Sequence, residues 1–319
     1  MTTLDTRATP QHDADAPASP ERALEALRWA GAVAESHARL GEPPATPGED
    51  EWRAVPVDTL REHLDAILVV RGEGVEHGLE ALHRVGFFRA WLPEIEAMVG
   101  MGDGEWRHKD VWKHTKQVVK QAVPRLTVRW GALLHDIGKP KTRKIDGKGR
   151  VTFYGHAELG AKMFRRKVAR RLGFQGELKD RVHFLILYHL RPSQYDAGWT
   201  DAAVRRFYKQ MGEGLTDLLD LGRADITTKR PAKRKRGVRN IADLKKRIDG
   251  IRAEDEKPKA LPKGLGEAIM ERFGIPPSKR LGDLMKALTA AVEDGELERQ
   301  DDYESYLAFL AEHADRFGV

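Results

Sequence analysis

The chain contains 319 residues, of which 40% are hydrophobic and 33% are charged, and its 55 Lys and Arg outnumber its 49 Asp and Glu. Because it has no cysteine, it can form no disulfide, no thiolate metal site and no cysteine nucleophile. Its longest apolar runs, such as residues 66–70 and 184–187, are too short to cross a bilayer, so no membrane partner is expected. The N-terminus has no apolar signal-peptide core, which predicts a cytoplasmic protein.

The predicted elements are helical almost throughout. Residues 1–19 are rich in Ala, Pro, Thr and Asp and are predicted to be disordered. A helix is expected over 20–37, followed by one over 57–70, a Gly-containing turn over 72–78 and a helix over 79–85. Helical periodicity continues at 111–123, 126–137, 158–172, 178–189, 200–211, 216–227, 265–273 and 281–293.

Strand signals are weak. The best is residues 151–154, which could pair with residues 142–145 as a small hairpin. The sequence therefore predicts an all-α fold, a multi-helix bundle with at most this small β-hairpin.

The positive charge is concentrated in a few segments. Residues 229–247 contain ten Lys or Arg and one acid, a local net charge of +9, so the rest of the chain sums to −3 within the total of +6. Such a segment suits a phosphate backbone, although a charge run alone is more often a solvated linker. Two further basic stretches, 139–150 and 162–171, hold six Lys or Arg each. Arg166 belongs to a cationic helix face in the second.

Histidine and aspartate recur inside apolar helical segments. Six of the twelve histidines fall between residues 108 and 189. A lone His on an apolar helix is more often a core residue, as we expect for His183, but uncompensated buried His and Asp are costly. One bound divalent cation would serve several of them. The candidate ligands are His114, His135, Asp136 and Asp225, with His156 and His189 nearby in the sequence.

A ligand set of nitrogen and oxygen without sulfur suits Mn, Fe, Co, Ni, Mg or catalytic Zn. Such an ion lowers the pKa of bound water and so provides a hydroxide nucleophile. Lys139 lies one turn after His135 and could hold an anionic phosphate oxygen.

The order of these residues, His114, His135–Asp136 and Asp225, resembles the signature of the HD-domain phosphohydrolase superfamily. In superfamily members with two metals, extra ligands occur where this chain has His156 and His189. The resemblance implies a metal-dependent phosphomonoesterase or phosphodiesterase with a helical bundle fold.

A closer resemblance is to the HD-containing half of bacterial CCA-adding tRNA nucleotidyltransferases. It rests on VPVDTLREHLDAIL, GLEALHRVGFFRAWLPEIEAM, the HD stretch from HKDVWKHTKQVV onward and GEAIMERFGIPPSKRLGDLMKAL, which together span roughly residues 55–300. No segment resembles the strand-rich, nucleotide-adding head with its paired carboxylates, so nucleotide addition is not expected. The resemblance implies the following division: tail 1–19, neck-like helices 20–103, HD domain 104–228, basic linker 229–247 and a helical, RNA-binding C-terminal tail 248–319.

The sequence thus predicts a metal-dependent phosphodiesterase or phosphatase that acts on RNA ends or nucleotides, for example 2′,3′-cyclic phosphates, with tRNA as a candidate partner. Asp136 and Lys139 would be catalytic, and Lys139, His108, Arg143 and Arg166 would contact substrate. His156 and His189 would bind a second ion or the phosphate. Two alternatives stay open: a non-catalytic RNA-binding body that works with a separate head, and a hydrolase of free nucleotides.

Overall fold

The computed structural model describes residues 19–36, 41–102, 110–256 and 260–319. In these ranges the chain is helical apart from its loops and one two-stranded antiparallel sheet, which confirms the all-α prediction. The chain divides into two compact units, residues 1–249 and 250–319. The predicted disordered tail lies outside the described residues except for Ser19, and so does the candidate substrate residue His108.

The first helices of the larger unit precede the candidate ligands. They are α1 (Glu21–Ser36), α2 (Glu49–Ala54), α3 (Val57–Val69), α4 (Glu73–Arg84), α5 (Phe87–Trp91) and α6 (Pro93–Glu96). Helix α1 packs against α3 and α4. The predicted turn over 72–78 is wrong beyond Gly72, because α4 begins at Glu73. A Cβ on Gly78 would lie 2.7 Å from that of Ala34, so this glycine permits close helix packing and does not mark a turn.

The central elements carry the candidate ligands. They are α7 (Val111–Gln121), α8 (Leu126–Leu134), α9 (Lys139–Thr142), β1 (Lys144–Ile145), β2 (Val151–Thr152), α10 (His156–Met163), α11 (Ala169–Arg171), α12 (Gly176–Tyr188), α13 (Asp201–Met211) and α14 (Leu215–Ala224). A single π-helical segment, Phe164–Val168, joins α10 to α11.

Helix α8 is the centre of this bundle. It packs against α3, α7, α12 and α14, and all of its residues from Val128 to Leu134 are buried. The buried Arg129 donates hydrogen bonds from Nε to the carbonyl oxygen of Ala122 (3.0 Å) and from a terminal nitrogen to that of Val70 (3.1 Å). Because buried carbonyl groups need donors, this side chain ties the start of α8 to the ends of α3 and α7.

The predicted hairpin is present but short. Lys144 pairs with Thr152 and Ile145 with Val151 in an antiparallel register. Gly155 follows it with a φ of +74°, a left-handed conformation that glycine adopts readily, and α10 then begins at His156. The hairpin therefore delivers a candidate ligand directly onto a helix.

The basic segment, predicted as a linker over 229–247, is helical from Pro231 onward. It forms most of α15 (Pro231–Glu256). Ile241, Leu244 and Ile248 are buried along one face at helical spacing, while most of the cations are exposed. Apolar residues at helical spacing, set among the charges, explain why this segment is helical.

The smaller unit contains α16 (Leu265–Phe273), α17 (Lys279–Glu293), α18 (Glu304–Glu312) and α19 (Ala314–Phe317). Its core includes Leu265, Leu288 and Tyr306, each fully buried. Gly274 ends α16 in a left-handed conformation, with a φ of +65°. None of the helices in the described part of the chain combines the length and apolar character that a membrane span requires.

Candidate metal centre

All six candidate ligands meet in one cluster at the centre of the larger unit. They form two groups, within each of which the potential ligand atoms lie within 4.8 Å of one another. The first group is His114, Asp225 and His135, and the second is Asp136, His156 and His189. The residues come from the start or end of α7, α8, α10, α12 and α14, so the bundle brings together positions up to 111 residues apart.

In the first group, the side chains of α7 and of the turns after α8 and α14 converge. His114 Nε2 lies 3.3 Å from His135 Nε2 and 3.1 Å from Asp225 Oδ1. His135 Nε2 lies 3.8 Å from the same Asp225 oxygen. These three atoms therefore face a common point, as the ligands of one ion do.

In the second group, His156 Nε2 lies 3.2 Å from His189 Nε2 and 3.4 Å from Asp136 Oδ1. Asp136 connects the two groups. Its Oδ1 faces His156 and His189, whereas its Oδ2 lies 3.1 Å from His135 Nε2 and 3.4 Å from His114 Nε2. A carboxylate in this position can bridge two cations.

The opposite nitrogens of the four histidine rings are held in place. The Nδ1 atoms of His135, His156 and His189 each lie 2.8 Å from the carbonyl oxygen three residues earlier. A carbonyl oxygen only accepts, so Nδ1 donates a proton to it and Nε2 is the nitrogen that each ring turns toward the cluster. His114 Nδ1 lies 2.9 Å from Thr227 Oγ1. The sequence pattern does not predict any of these partners.

The donor set fits a divalent cation. Asp136 Oδ1 is buried and has no hydrogen-bond partner among the described residues. Several nitrogen and oxygen lone pairs converge on one poorly hydrated space, and a cation held there would interact favourably with all of them. Nitrogen and oxygen donors without sulfur match the ions expected from the sequence. The His and Asp cluster is therefore compatible with a divalent metal site.

The pKa values in the cluster fall into two classes. Burial opposes a charged His114, but hydrogen bonds to Asp136 and Asp225 outweigh it and raise the pKa of His114 to about 9. Burial, together with the charge of His135, lowers the pKa of His189 to about 4, and burial also lowers that of His156. His156 and His189 are therefore neutral donors at pH 7, whereas His114 must release a proton before it can bind a metal.

The two carboxylates stay ionised. Burial favours a neutral Asp136, but the charges of His135 and Lys139 hold the pKa of this carboxyl well below its usual value. Burial likewise opposes the charge on Asp225, and the hydrogen bond from His114 nevertheless lowers its pKa. Both side chains are thus available as anionic ligands at neutral pH.

Gly138 makes a close backbone contact that the sequence pattern does not predict. It lies in the turn between α8 and α9, and a Cβ there would be 2.1 Å from the carbonyl oxygen of His156 and 2.9 Å from the backbone nitrogen of Gly160. This backbone contact sets the distance between the His135–Asp136 turn and α10. The Gly in HDIGKP was visible in the sequence, but only the structure shows what it approaches.

The predicted substrate residues lie in different settings. Lys139 Nζ is 2.5 Å from Asp136 Oδ2 and therefore contacts the cluster directly. Arg143 follows α9 and Arg166 lies in the π-helical segment, and both are exposed. Within the described residues, neither arginine forms a hydrogen bond or ion pair with a member of the cluster. His183, expected to be a core residue, is half-buried on α12 outside the cluster.

Residues 110–229 match the family model of the HD domain. This range contains all six cluster residues, so this part of the chain is an HD domain, as the sequence predicted.

The similarity to tRNA nucleotidyltransferases extends beyond that domain. The chain is 31% identical over 263 residues to the A-adding tRNA nucleotidyltransferase of Deinococcus radiodurans, which covers 80% of the chain and 58% of that protein. It is 31% identical over 239 residues to the CC-adding tRNA nucleotidyltransferase of Thermus thermophilus, covering 73% and 52%. A shorter match, 37% over 73 residues, is to the multifunctional CCA protein of Pseudomonas paraeruginosa, covering 21% and 18%. The chain thus spans between half and three fifths of the two longer-matched relatives, and the predicted resemblance is confirmed.

Proposed function

We propose that the HD domain is a metal-dependent phosphohydrolase that acts on a phosphoester at the end of an RNA chain. The observation that carries the proposal is the bridging position of Asp136 between two groups of ligand atoms. Each group contains two histidine Nε2 atoms and a carboxylate. Paired cations bridged by a carboxylate suit the hydrolysis of phosphoesters, because they can contact both the attacking and the leaving oxygen.

We assign one ion to His114, His135, Asp136 and Asp225, and a second to Asp136, His156 and His189. Ions held there would act as Lewis acids on the phosphoryl oxygens and would make hydroxide available at neutral pH. Asp136 belongs to both sets, so its loss would disturb both.

Exposure indicates the side from which a substrate would enter. His135, Asp136 and His189 are buried, each with a side chain about 1% exposed, whereas the side chains of His114, Asp225 and Lys139 are 21%, 25% and 20% exposed. A phosphate would therefore approach past the latter three. Lys139 has three N–H donors and uses one on Asp136, so the others can donate to a phosphoryl oxygen and neutralise charge that develops on it.

We infer the substrate class from the cations that follow the last candidate ligand in the chain. These cations, in and just before the first turns of α15, are exposed and form no ion pair with other described residues. They begin two positions after Thr227, which contacts His114. They are Lys229, Arg230, Lys233, Arg234, Lys235, Arg236 and Arg239. A run of unpaired cations suits several successive phosphates better than one mononucleotide. An RNA end, such as a 2′,3′-cyclic phosphate on tRNA, therefore fits better than a free nucleotide.

The test is hydrolysis of a 2′,3′-cyclic nucleotide and of bis-p-nitrophenyl phosphate with Ni, Co, Mn or Mg. The Asp136→Ala protein should lose activity with every ion. His183→Ala is the matched control, because His183 shares α12 with the stretch that leads to His189 but lies outside the cluster, and it should keep the activity. Full activity in the Asp136→Ala protein would refute the assignment of Asp136 as a metal ligand required for hydrolysis.

A second candidate function is that of an RNA-holding body. It is favoured by the extent of the match, since the similarity to the A-adding enzyme covers 263 residues and not only the HD domain. A metal-free protein that binds tRNA as tightly as the loaded protein, with no phosphoesterase activity under any of the four ions, would support this function over the first.

A further inference from the structure

Tyr154 is the most exposed large hydrophobic side chain among the described residues, at 85% exposure. The next, Ile145 at 58%, lies in β1, and the partner strand β2 ends two residues before Tyr154. An aromatic ring and an aliphatic side chain in this segment are thus both exposed to water. Large exposed apolar side chains that lie close together are typical of a contact surface.

Tyr154 follows Phe153, and Phe153 makes two contacts with residues of the metal centre. The preceding residue, Phe153, has its ring 5.5 Å from Lys139 Nζ, and Lys139 contacts Asp136. The carbonyl oxygen of Phe153 also accepts the hydrogen bond from His156 Nδ1. Tyr154 therefore stands directly beside a residue that touches the cluster, while its own ring is exposed to solvent.

The segment from Lys141 to the end of the hairpin is also strongly cationic. Asp146 is the only acid in this segment, and it is already occupied by Arg150, whose Nε lies 2.7 Å from Oδ2. The remaining cations are exposed and form no ion pair with other described residues. They are Lys141, Arg143, Lys144 and Lys148. The surface around Tyr154 thus combines unneutralised positive charge with an open aromatic face.

We propose that Tyr154 stacks on an unpaired base of the RNA whose terminal phosphate lies in the metal centre, while the hairpin cations contact the neighbouring phosphates. An aromatic ring among cations is the combination that binds single-stranded nucleic acid, because every base has a face to stack and every linkage a charge. The inference rests on the proposed function and narrows its substrate: the RNA end is single-stranded for at least one nucleotide beyond the hydrolysed phosphate. Arg143, predicted as a substrate residue, would act here and not at the reacting phosphate.

The test compares two fluorescently labelled probes by anisotropy, with divalent metal omitted so that no hydrolysis occurs. One is a single-stranded RNA hexamer with a 2′,3′-cyclic phosphate, and the other is an abasic hexamer of equal charge. The wild-type protein should prefer the RNA with bases. Tyr154→Ala should lose between about fivefold and 150-fold in affinity for that probe, as expected for one stacked base at roughly 1–3 kcal/mol. It should bind the abasic probe as the wild type does.

Three variants serve as comparisons. Tyr154→Phe keeps the ring and should retain the preference, whereas Ile145→Ala, the exposed aliphatic neighbour, should leave both affinities within twofold. Lys144→Ala should lower the affinity for both probes equally, because it removes a phosphate contact. Since Tyr154 is exposed, the melting temperature of Tyr154→Ala should equal that of the wild type, which separates a binding defect from a folding defect.

The inference is overturned if Tyr154→Ala keeps the wild-type preference for bases, a result that would assign this surface to a protein partner instead. It is also overturned if the wild type itself shows no preference. A base preference that depends on Tyr154 in a protein without phosphoesterase activity would refute the proposed function alone. Hydrolysis without any effect of Tyr154→Ala would refute the inference alone.

Discussion

Replacing Gly138 with Ala should separate the two halves of the metal centre. The added Cβ would lie 2.1 Å from the carbonyl oxygen of His156, a backbone atom that cannot move without moving α10. Contacts of a Cβ below 3.0 Å essentially do not occur, so the His135–Asp136 turn and α10 must separate by at least roughly 0.9 Å. Metal sites tolerate deviations of only about 0.2 Å in ligand distance.

The displacement would act on the second group more than the first. His156 moves with α10, whereas His114 and Asp225 are held by other helices. Since we assign one ion to each group, we expect the variant to retain the first ion and to lose the second. Overpacking of this kind should also reduce the free energy of unfolding by about 1–3 kcal/mol.

The assay is metal content by mass spectrometry after reconstitution and desalting, alongside chemical denaturation. Gly147→Ala is the matched control, because a Cβ at Gly147 meets nothing within 4 Å, and it should retain the wild-type metal content. If the Gly138→Ala protein binds as much metal as the wild type and is equally stable, the contact with His156 does not set the geometry of the site.

Two further predictions concern His114. Its pKa of about 9 means that the metal-free protein carries a proton there at neutral pH, and a metal must displace it. The apparent affinity for the first ion should therefore rise about tenfold per pH unit from pH 6.5 to 8.5 and level off above pH 9. Calorimetry in buffers of different ionisation enthalpy should detect about one released proton, and a pH-independent affinity would contradict the raised pKa. Thr227→Val removes the partner of His114 Nδ1 and should weaken metal binding about 10- to 100-fold. Thr227→Ser keeps the hydroxyl and should restore it, and equal affinities for both variants would contradict this role.

Much of this protein could be predicted from the sequence. Helices were visible because apolar residues recur at helical spacing, and the hairpin because two short runs flank a Gly-rich turn. The set from His114 to Asp225 was visible because polar residues capable of binding metal interrupt otherwise apolar helices. What places these residues in one cluster is the packing of helices that are distant in the chain.

Other features could not be predicted from the sequence, and the reasons are physical. Glycine has two roles, as a turn residue and as a point of close backbone contact, and the sequence does not distinguish them; Gly78 was therefore misinterpreted and Gly138 overlooked. The carbonyl partners of the histidine Nδ1 atoms are backbone groups, which every residue possesses. The exposure of Tyr154 depends on the absence of packing neighbours, which a local pattern does not reveal.

The most direct test of the central claim is the rate of phosphoester hydrolysis measured against metal content in the wild-type and Asp136→Ala proteins. The substrate should be a single-stranded RNA that ends in a 2′,3′-cyclic phosphate. We predict that wild-type activity rises with bound metal, disappears on chelation and returns when metal is added, and that Asp136→Ala is inactive at every metal concentration. Hydrolysis that persists in Asp136→Ala, or a fully loaded wild-type protein that hydrolyses no phosphoester, would contradict the account.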